Sequence, residues 1–272
     1  MRRAGLSVPR PFPVARPDPG LGRPLRIAHR GASARAPENT LAAFREAIRL
    51  GADLIECDVH LSADHVPVII HDETVERTTN GRGAVASLAC ARLRRLDAGA
   101  WFSSRFRGER IPTLEEALEC ARGRCGLNLE IKGPSGRRRR AAPAGGAAAD
   151  PASVARAVAR SLKRTGFKDL VIVSSFSPRA LHAARADLPH VRLGFLASRS
   201  LRGLRAAHRR VGLHAVHPHV RLAAPRRVRL AHRLGLRVFF WTVNEVRLMR
   251  RLLALGCDGL MTDDPALFQE PG

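Results

Sequence analysis

Residues Asp53 to His71 read DLIECDVHLSADHVPVIIH, and the organisation of the chain turns on them. Two runs of β-branched and apolar residues, Asp53 to Val59 and Val66 to Ile70, flank a short Ser-Ala-Asp-His connection. A parallel crossover needs about a dozen residues or more, so these two strands are expected to form an antiparallel hairpin. With the turn near Ala63 and Asp64, Glu56 should lie about opposite His71. Residues i and i+2 of a strand share a face, so Glu56 and Asp58 point together and Cys57 points away from them.

Outward from this hairpin, further strands are expected at Leu25 to His29, Leu127 to Ile131, Leu170 to Ser174, Val191 to Leu196, His214 to His217, Arg237 to Trp241 and Gly259 to Thr262. Helical periods fall between many of them: Asn39 to Leu50, Thr113 to Cys120, Ala152 to Thr165, Pro178 to Asp187, Ala224 to Leu234 and Asn244 to Leu255. The first opens on Asn39 or Thr40 as a cap and closes at Gly51. Strands alternating with helices indicate a parallel α/β fold. Nine strands are one more than a closed eight-stranded barrel needs, and the hairpin's second arm is the surplus. The expectation is a (β/α)8 TIM barrel with a small insertion after the second-strand hairpin, which suits a chain of 272 residues.

Three segments depart from the barrel pattern. Residues 1–24, rich in arginine and proline without an apolar core, read as a flexible leader rather than a secretory signal. Residues 72–111 lack a single period and form the insertion. Residues 133–150, GPSGRRRRAAPAGGAAAD, are low in complexity and expected to be a disordered basic loop. The barrel domain then spans residues 25–270.

The net charge is +23, almost all of its excess arginine, since Lys132, Lys163 and Lys168 are the only lysines. Such a field attracts phosphate-bearing partners, although the joint abundance of Arg, Ala, Gly and Pro equally reflects a GC-rich coding sequence. Aromatic residues are 4% with no tyrosine, which leaves few platforms for stacking bases, and no nucleic-acid partner is expected. No apolar run is long enough to span a bilayer. Five cysteines at scattered spacing, without a CxxC pair, fit reduced thiols in a cytoplasmic protein.

Active sites of such barrels are built at the C-terminal ends of the strands. There the sequence places His29-Arg30-Gly31, Glu56-x-Asp58, His71-Asp72, Glu130-x-Lys132, Trp241 and Asp263. Three carboxylates converging from two strands are a hard-oxygen set suited to Mg²⁺ or Ca²⁺; the alternative is that arginines such as Arg30 neutralise them. His29 and His71 stand beside those carboxylates, whereas His217 and His219 end a strand without acidic neighbours. Phosphodiester cleavage needs a base and an acid, and Arg30 and Lys132 supply charge for a phosphoryl transition state.

The ordered series HRGASARAPENTLAAF (29–44), ECDVHLSADHVPVIIHDETVERTTNGRG (56–83), IPTLEEAL (111–118), LEIK (129–132), VSSF (173–176), WTVN (241–244) and GCDGLMTDDP (256–265) resembles the motifs of the glycerophosphodiester phosphodiesterases. The resemblance covers roughly Arg26 to Phe268. It implies metal-dependent hydrolysis of a glycerophosphodiester to sn-glycerol 3-phosphate and an alcohol, with Ca²⁺ or Mg²⁺ as cofactor. By the same resemblance Glu56, Asp58 and Glu130 bind the metal, His29 and His71 are the acid/base pair, and Arg30 and Lys132 hold phosphate. Trp241 packs on glycerol carbons or is simply a buried barrel residue. The insertion caps the site, and Glu38 reaches a ligand hydroxyl. Two other readings stand beside this one. A lysophospholipase D acting on membrane lysophospholipids would use the basic loop and leader for peripheral contact with anionic membrane. A silent phosphate-binding barrel would have no need of two acid/base groups.

Overall fold

The computed structural model describes residues 23–133 and 149–269. The leader through residue 22 and most of the arginine-rich loop, 134–148, lie outside the described residues, and with them the expectations placed on those segments.

Nine strands follow one another along the chain: β1 (Leu25–His29), β2 (Leu54–Leu61), β3 (Pro67–Ile69), β4 (Gly126–Ile131), β5 (Val171–Ser175), β6 (Arg192–Ala197), β7 (Ala215–Pro218), β8 (Arg237–Phe240) and β9 (Gly259–Thr262). All but β3 are parallel. β1 pairs with β9 on one side and β2 on the other, which closes an eight-stranded (β/α)8 barrel. β3 lies antiparallel on β2 alone. The helices are α1 (Leu41–Arg49), α2 (Cys90–Leu93), α3 (Leu114–Ala121), α4 (Pro151–Thr165), α5 (Pro178–Asp187), α6 (Leu204–Val211), α7 (Pro225–Arg233) and α8 (Val246–Ala254). None of the described helices is long and apolar enough to cross a membrane.

The helix boundaries follow local chemistry. The Thr40 hydroxyl accepts from the Ala43 N–H at the start of α1, and Thr113 and Glu116 close a reciprocal capping box on α3. α4, α5 and α7 each open on proline, whose missing N–H is no loss in a first turn. The sequence reading placed no helix at α6. Its buried face is only Leu204, Ala207 and Val211 among three arginines and His208, between Gly203 and Gly212.

The hairpin forms as expected, but one residue out of the expected register. Val59 faces Ile69 and Leu61 faces Pro67, and the Ile70 N–H donates to the Asp58 carbonyl at 3.0 Å. Continued downward, this register sets His71 opposite Cys57 rather than Glu56. The cause is the turn: Ser62 and Val66 exchange backbone and side-chain hydrogen bonds around a three-residue loop, with His65 left-handed at φ 59°.

Burial falls into layers. Inside the barrel Leu25, Ile27, Leu54, Ile172, Phe239 and Met261 pack together. A larger cluster fills the space between strands and helices, and Cys57 belongs to it, facing away from Glu56 and Asp58. The insertion has its own small core around Val75, Val85, Leu93 and Ile111, which continues from Val68 and Ile70 of the hairpin.

Candidate active site

The site grows from the ends of β1, β2 and β4. After His29 the chain turns sharply, with Arg30 at φ 57° and Gly31 at φ 82°. A β-carbon on Gly31 would stand 2.7 Å from the Ala43 β-carbon of α1, so only glycine lets the turn pack on that helix. The turn aims the Arg30 backbone N–H at Glu56 Oε2, 3.0 Å away. Across the sheet, Asp58 stands level with Glu130, and Glu56 with Asn128. The carboxylates of Glu56, Asp58 and Glu130 thereby gather within 4.8 Å of one another, Glu56 and Asp58 fully buried.

Two cations face these three carboxylates. Lys132 Nζ lies 2.9 Å from Glu130 Oε1 and 3.2 Å from Asp58 Oδ1. The Arg30 guanidinium lies 3.4 Å from Asp58 Oδ2 and 2.9 Å from Glu38 Oε1. The imbalance shows in protonation. Burial pushes Asp58 up, but Lys132 and Arg30 outweigh it and hold the carboxyl far below the usual range. Burial together with the charges of Asp58 and Glu130 pushes Glu56 well above its ordinary value. Burial depresses the Lys132 ammonium, and Asp58 and Glu130 more than offset that.

The two histidines are each tethered by an aspartate. His29 Nδ1 lies 2.6 Å from Asp263 Oδ1, and His71 Nδ1 lies 2.6 Å from Asp72 Oδ1. A carboxylate accepts, so Nδ1 donates and Nε2 is the nitrogen left for chemistry. Asp263 is itself fixed by Ser33 and by Asn244, at 3.1 and 2.6 Å. Asp72 is fixed by Arg77, which also binds Glu38 through two nitrogens. Glu38 is thus tied between Arg30 and Arg77. His60, buried on β2, donates Nε2–H to the His71 carbonyl at 3.1 Å and steadies the hairpin end.

Seven of the eight residues singled out from the sequence, His29, Arg30, Glu56, His71, Glu130, Lys132 and Trp241, line one cavity of about 90 Å³ at the barrel mouth. Asp58, the eighth, is buried behind them. Trp241 stands on the apolar side of that cavity with Phe176, their rings edge to face at 5.8 Å, and its indole N–H donates to the His217 carbonyl at 2.8 Å. Asp72, Asp263, Asn244 and His60 are functional partners to which no role could be assigned from sequence alone. The sequence reading treated Asn39 as a candidate helix cap, but Thr40 is the cap. Asn39, left-handed at φ 59°, clamps Asp58: Nδ2 donates to Oδ2 at 2.8 Å and Oδ1 accepts from the Asp58 N–H at 3.2 Å. The placement of Asp263 at a strand end was the one available signal for its part.

The glycerophosphoryl diester phosphodiesterase family model matches residues 29–267. A glycerophosphodiester phosphodiesterase of Caldanaerobacter subterraneus subsp. tengcongensis is 38% identical over 242 residues, 89% of this chain and 94% of its own. Among solved structures, an Oleispira antarctica phosphodiesterase in complex with the product sn-glycerol-3-phosphate superposes with a TM-score of 0.81 at 32% identity, over 91% of this chain and 96% of that one. A glycerophosphodiester phosphodiesterase of Agrobacterium tumefaciens gives 0.72 at 30% identity, over 89% and 97%. The chain belongs to the glycerophosphoryl diester phosphodiesterase family, a family of phosphoric diester hydrolases.

Proposed function

We propose that this protein hydrolyses glycerophosphodiesters to sn-glycerol 3-phosphate and an alcohol, with a divalent cation at Glu56, Asp58 and Glu130. The observation that carries the reading is one cavity that joins Glu56 and Glu130, with Asp58 buried behind them, to two histidines, each oriented by its own aspartate. The residues fit a Ca²⁺ or Mg²⁺ ion: all three donors are hard oxygens, and three carboxylates against two cations leave Glu56 short of positive charge. A bound divalent ion supplies charge to the phosphate oxygens as negative charge builds on them.

The rest of the chemistry falls to this chain's own groups. One of His29 and His71 takes the proton of the glycerol 2-hydroxyl through Nε2, and that oxygen attacks phosphorus. The bond from phosphorus to the alcohol breaks as the other histidine protonates the leaving oxygen. Water then opens the five-membered cyclic phosphate with the two histidines in exchanged roles. Arg30 and Lys132 hold the phosphate, since both keep donors beyond those facing carboxylates, and Trp241 with Phe176 packs on the glycerol carbons. All five cysteines are free, which suits the reducing cytoplasm.

The test is release of sn-glycerol 3-phosphate from glycerophosphocholine by chelated protein, with and without added Ca²⁺ or Mg²⁺. Activity restored by either ion is the expected result. Full activity after exhaustive chelation would remove the carboxylate trio from the mechanism, and no activity with either ion would remove the substrate class.

A further inference from the structure

Asn128 is the best-placed polar group of the cavity without an assignment. It sits on β4, two residues before Glu130 and level with Glu56, and so one pleat deeper in the barrel than the Asp58–Glu130 pair. Its side chain lines the cavity and is 1% exposed, yet neither Oδ1 nor Nδ2 has a hydrogen-bond partner among the described residues. A buried amide left without partners is costly, because both its donors and its acceptor have given up water for nothing, so the arrangement calls for a ligand. Ser174 and His217 share this lack of partners, but they meet across Gly194 and do not line the cavity.

We propose that Asn128 binds the terminal hydroxyl of the substrate's glycerol unit, the one that takes no part in attack on phosphorus. The inference rests on the function proposed above. With the phosphate held by Arg30 and Lys132 and the carbons against Trp241, a glycerol unit that extends inward along the cavity brings its free end to Asn128, one pleat below Glu130. The chemistry matches a neutral hydroxyl, which can accept from Nδ2–H or donate to Oδ1. A metal ion would satisfy Oδ1 alone and leave the amide hydrogens without an acceptor.

The experiment is calorimetric titration of metal-loaded protein with sn-glycerol 3-phosphate and with 2-hydroxyethyl phosphate, which lacks only the terminal hydroxymethyl group. Wild type should bind the glycerol compound at least about tenfold more tightly. Asn128→Ala and the near-isosteric Asn128→Leu should lose that preference by weakening the first ligand and sparing the second. A wild type that does not discriminate overturns the proposal, and this arm needs no variant. Equal weakening of both ligands, or a weaker divalent ion in the variants, overturns it too. Should the wild type discriminate as expected but turn over no glycerophosphodiester, the enzymatic reading fails while the hydroxyl site stands.

Discussion

Asp263 Oδ1 lies 2.6 Å from His29 Nδ1, and the two residues are 234 positions apart in the chain. Closure of β9 onto β1 is what brings them together. Burial pushes the Asp263 carboxyl up, but its bonds to His29, Asn244 and Ser33 prevail and hold it at about 2. It therefore stays ionised across the working range and fixes the proton of His29 on Nδ1. Asp263→Asn preserves shape but offers an amide that can donate to Nδ1 and favour the other tautomer. The expected result is a fall in kcat of roughly 10²–10⁴ with cooperative melting retained. Undiminished kcat would show that the aspartate does not set the tautomer.

Glu56 makes a second prediction, on metal affinity. Burial with the Asp58 and Glu130 charges raises its proton affinity, so an ion that binds there must displace a proton as pH falls through the raised value. Divalent affinity should weaken with falling pH and approach a loss of about tenfold per pH unit below that value. Glu56→Gln should bind the ion less tightly and with a flatter pH dependence. Calorimetry in buffers of different ionisation enthalpy counts the protons released. Proton release that does not grow as pH falls, or that is the same in Glu56→Gln, would show that the ion displaces no proton from Glu56.

Much of this site was legible because strands impose a simple rule. Alternation set Glu56 beside Asp58 and Glu130 beside Lys132, and position at strand ends singled out His29, His71 and Trp241 without any coordinates. What escaped the sequence depends on placement across the fold. His29 and Asp263 meet only through barrel closure, and Asn39 reaches Asp58 only because its backbone is left-handed. The hairpin register was missed by one residue because a serine side chain, not the backbone alone, closes the loop at Val66. α6 escaped because three small or apolar positions carry its whole buried face.

Adjacent Asn39 and Thr40 should separate in mutation. Thr40→Ala removes a helix cap and is expected to cost about 1 kcal/mol of stability with metal affinity unchanged. Asn39→Gly keeps the left-handed backbone accessible and removes both bonds to Asp58. Loss of such an outer support typically weakens metal binding by about 10–100-fold. Titration of Ca²⁺ or Mg²⁺ against both variants, beside their melting curves, checks the contrast. Equal metal affinity in the two would reduce Asn39 to a turn residue.

His217 carries the last prediction, on acid stability. Its ring is fully buried against Phe239, above Gly194, and neither nitrogen has a hydrogen-bond partner among the described residues. Burial, with a smaller contribution from His214, lowers its pKa from 6.5 to about 3. The unfolded chain takes up a proton at this residue below about pH 6.5, whereas the folded chain resists until about 3. Stability from this source is therefore complete above 6.5 and declines as pH falls through that window, by about 2–3 kcal/mol at pH 4.5. His60, lowered to about 4 chiefly by burial, adds a decline of the same sign, while Asp72 and Asp263, held at about 2, contribute only at lower pH. His217→Leu removes one titrating site and two unpartnered nitrogens, so its melting temperature should fall less steeply than wild type between pH 7 and 4.5. At the acid end the variant should match or exceed wild type, because apolar packing there replaces a ring the barrel must keep neutral. Parallel curves would mean that His217 takes up its proton in the folded state, and that the barrel interior beneath the cavity admits charge.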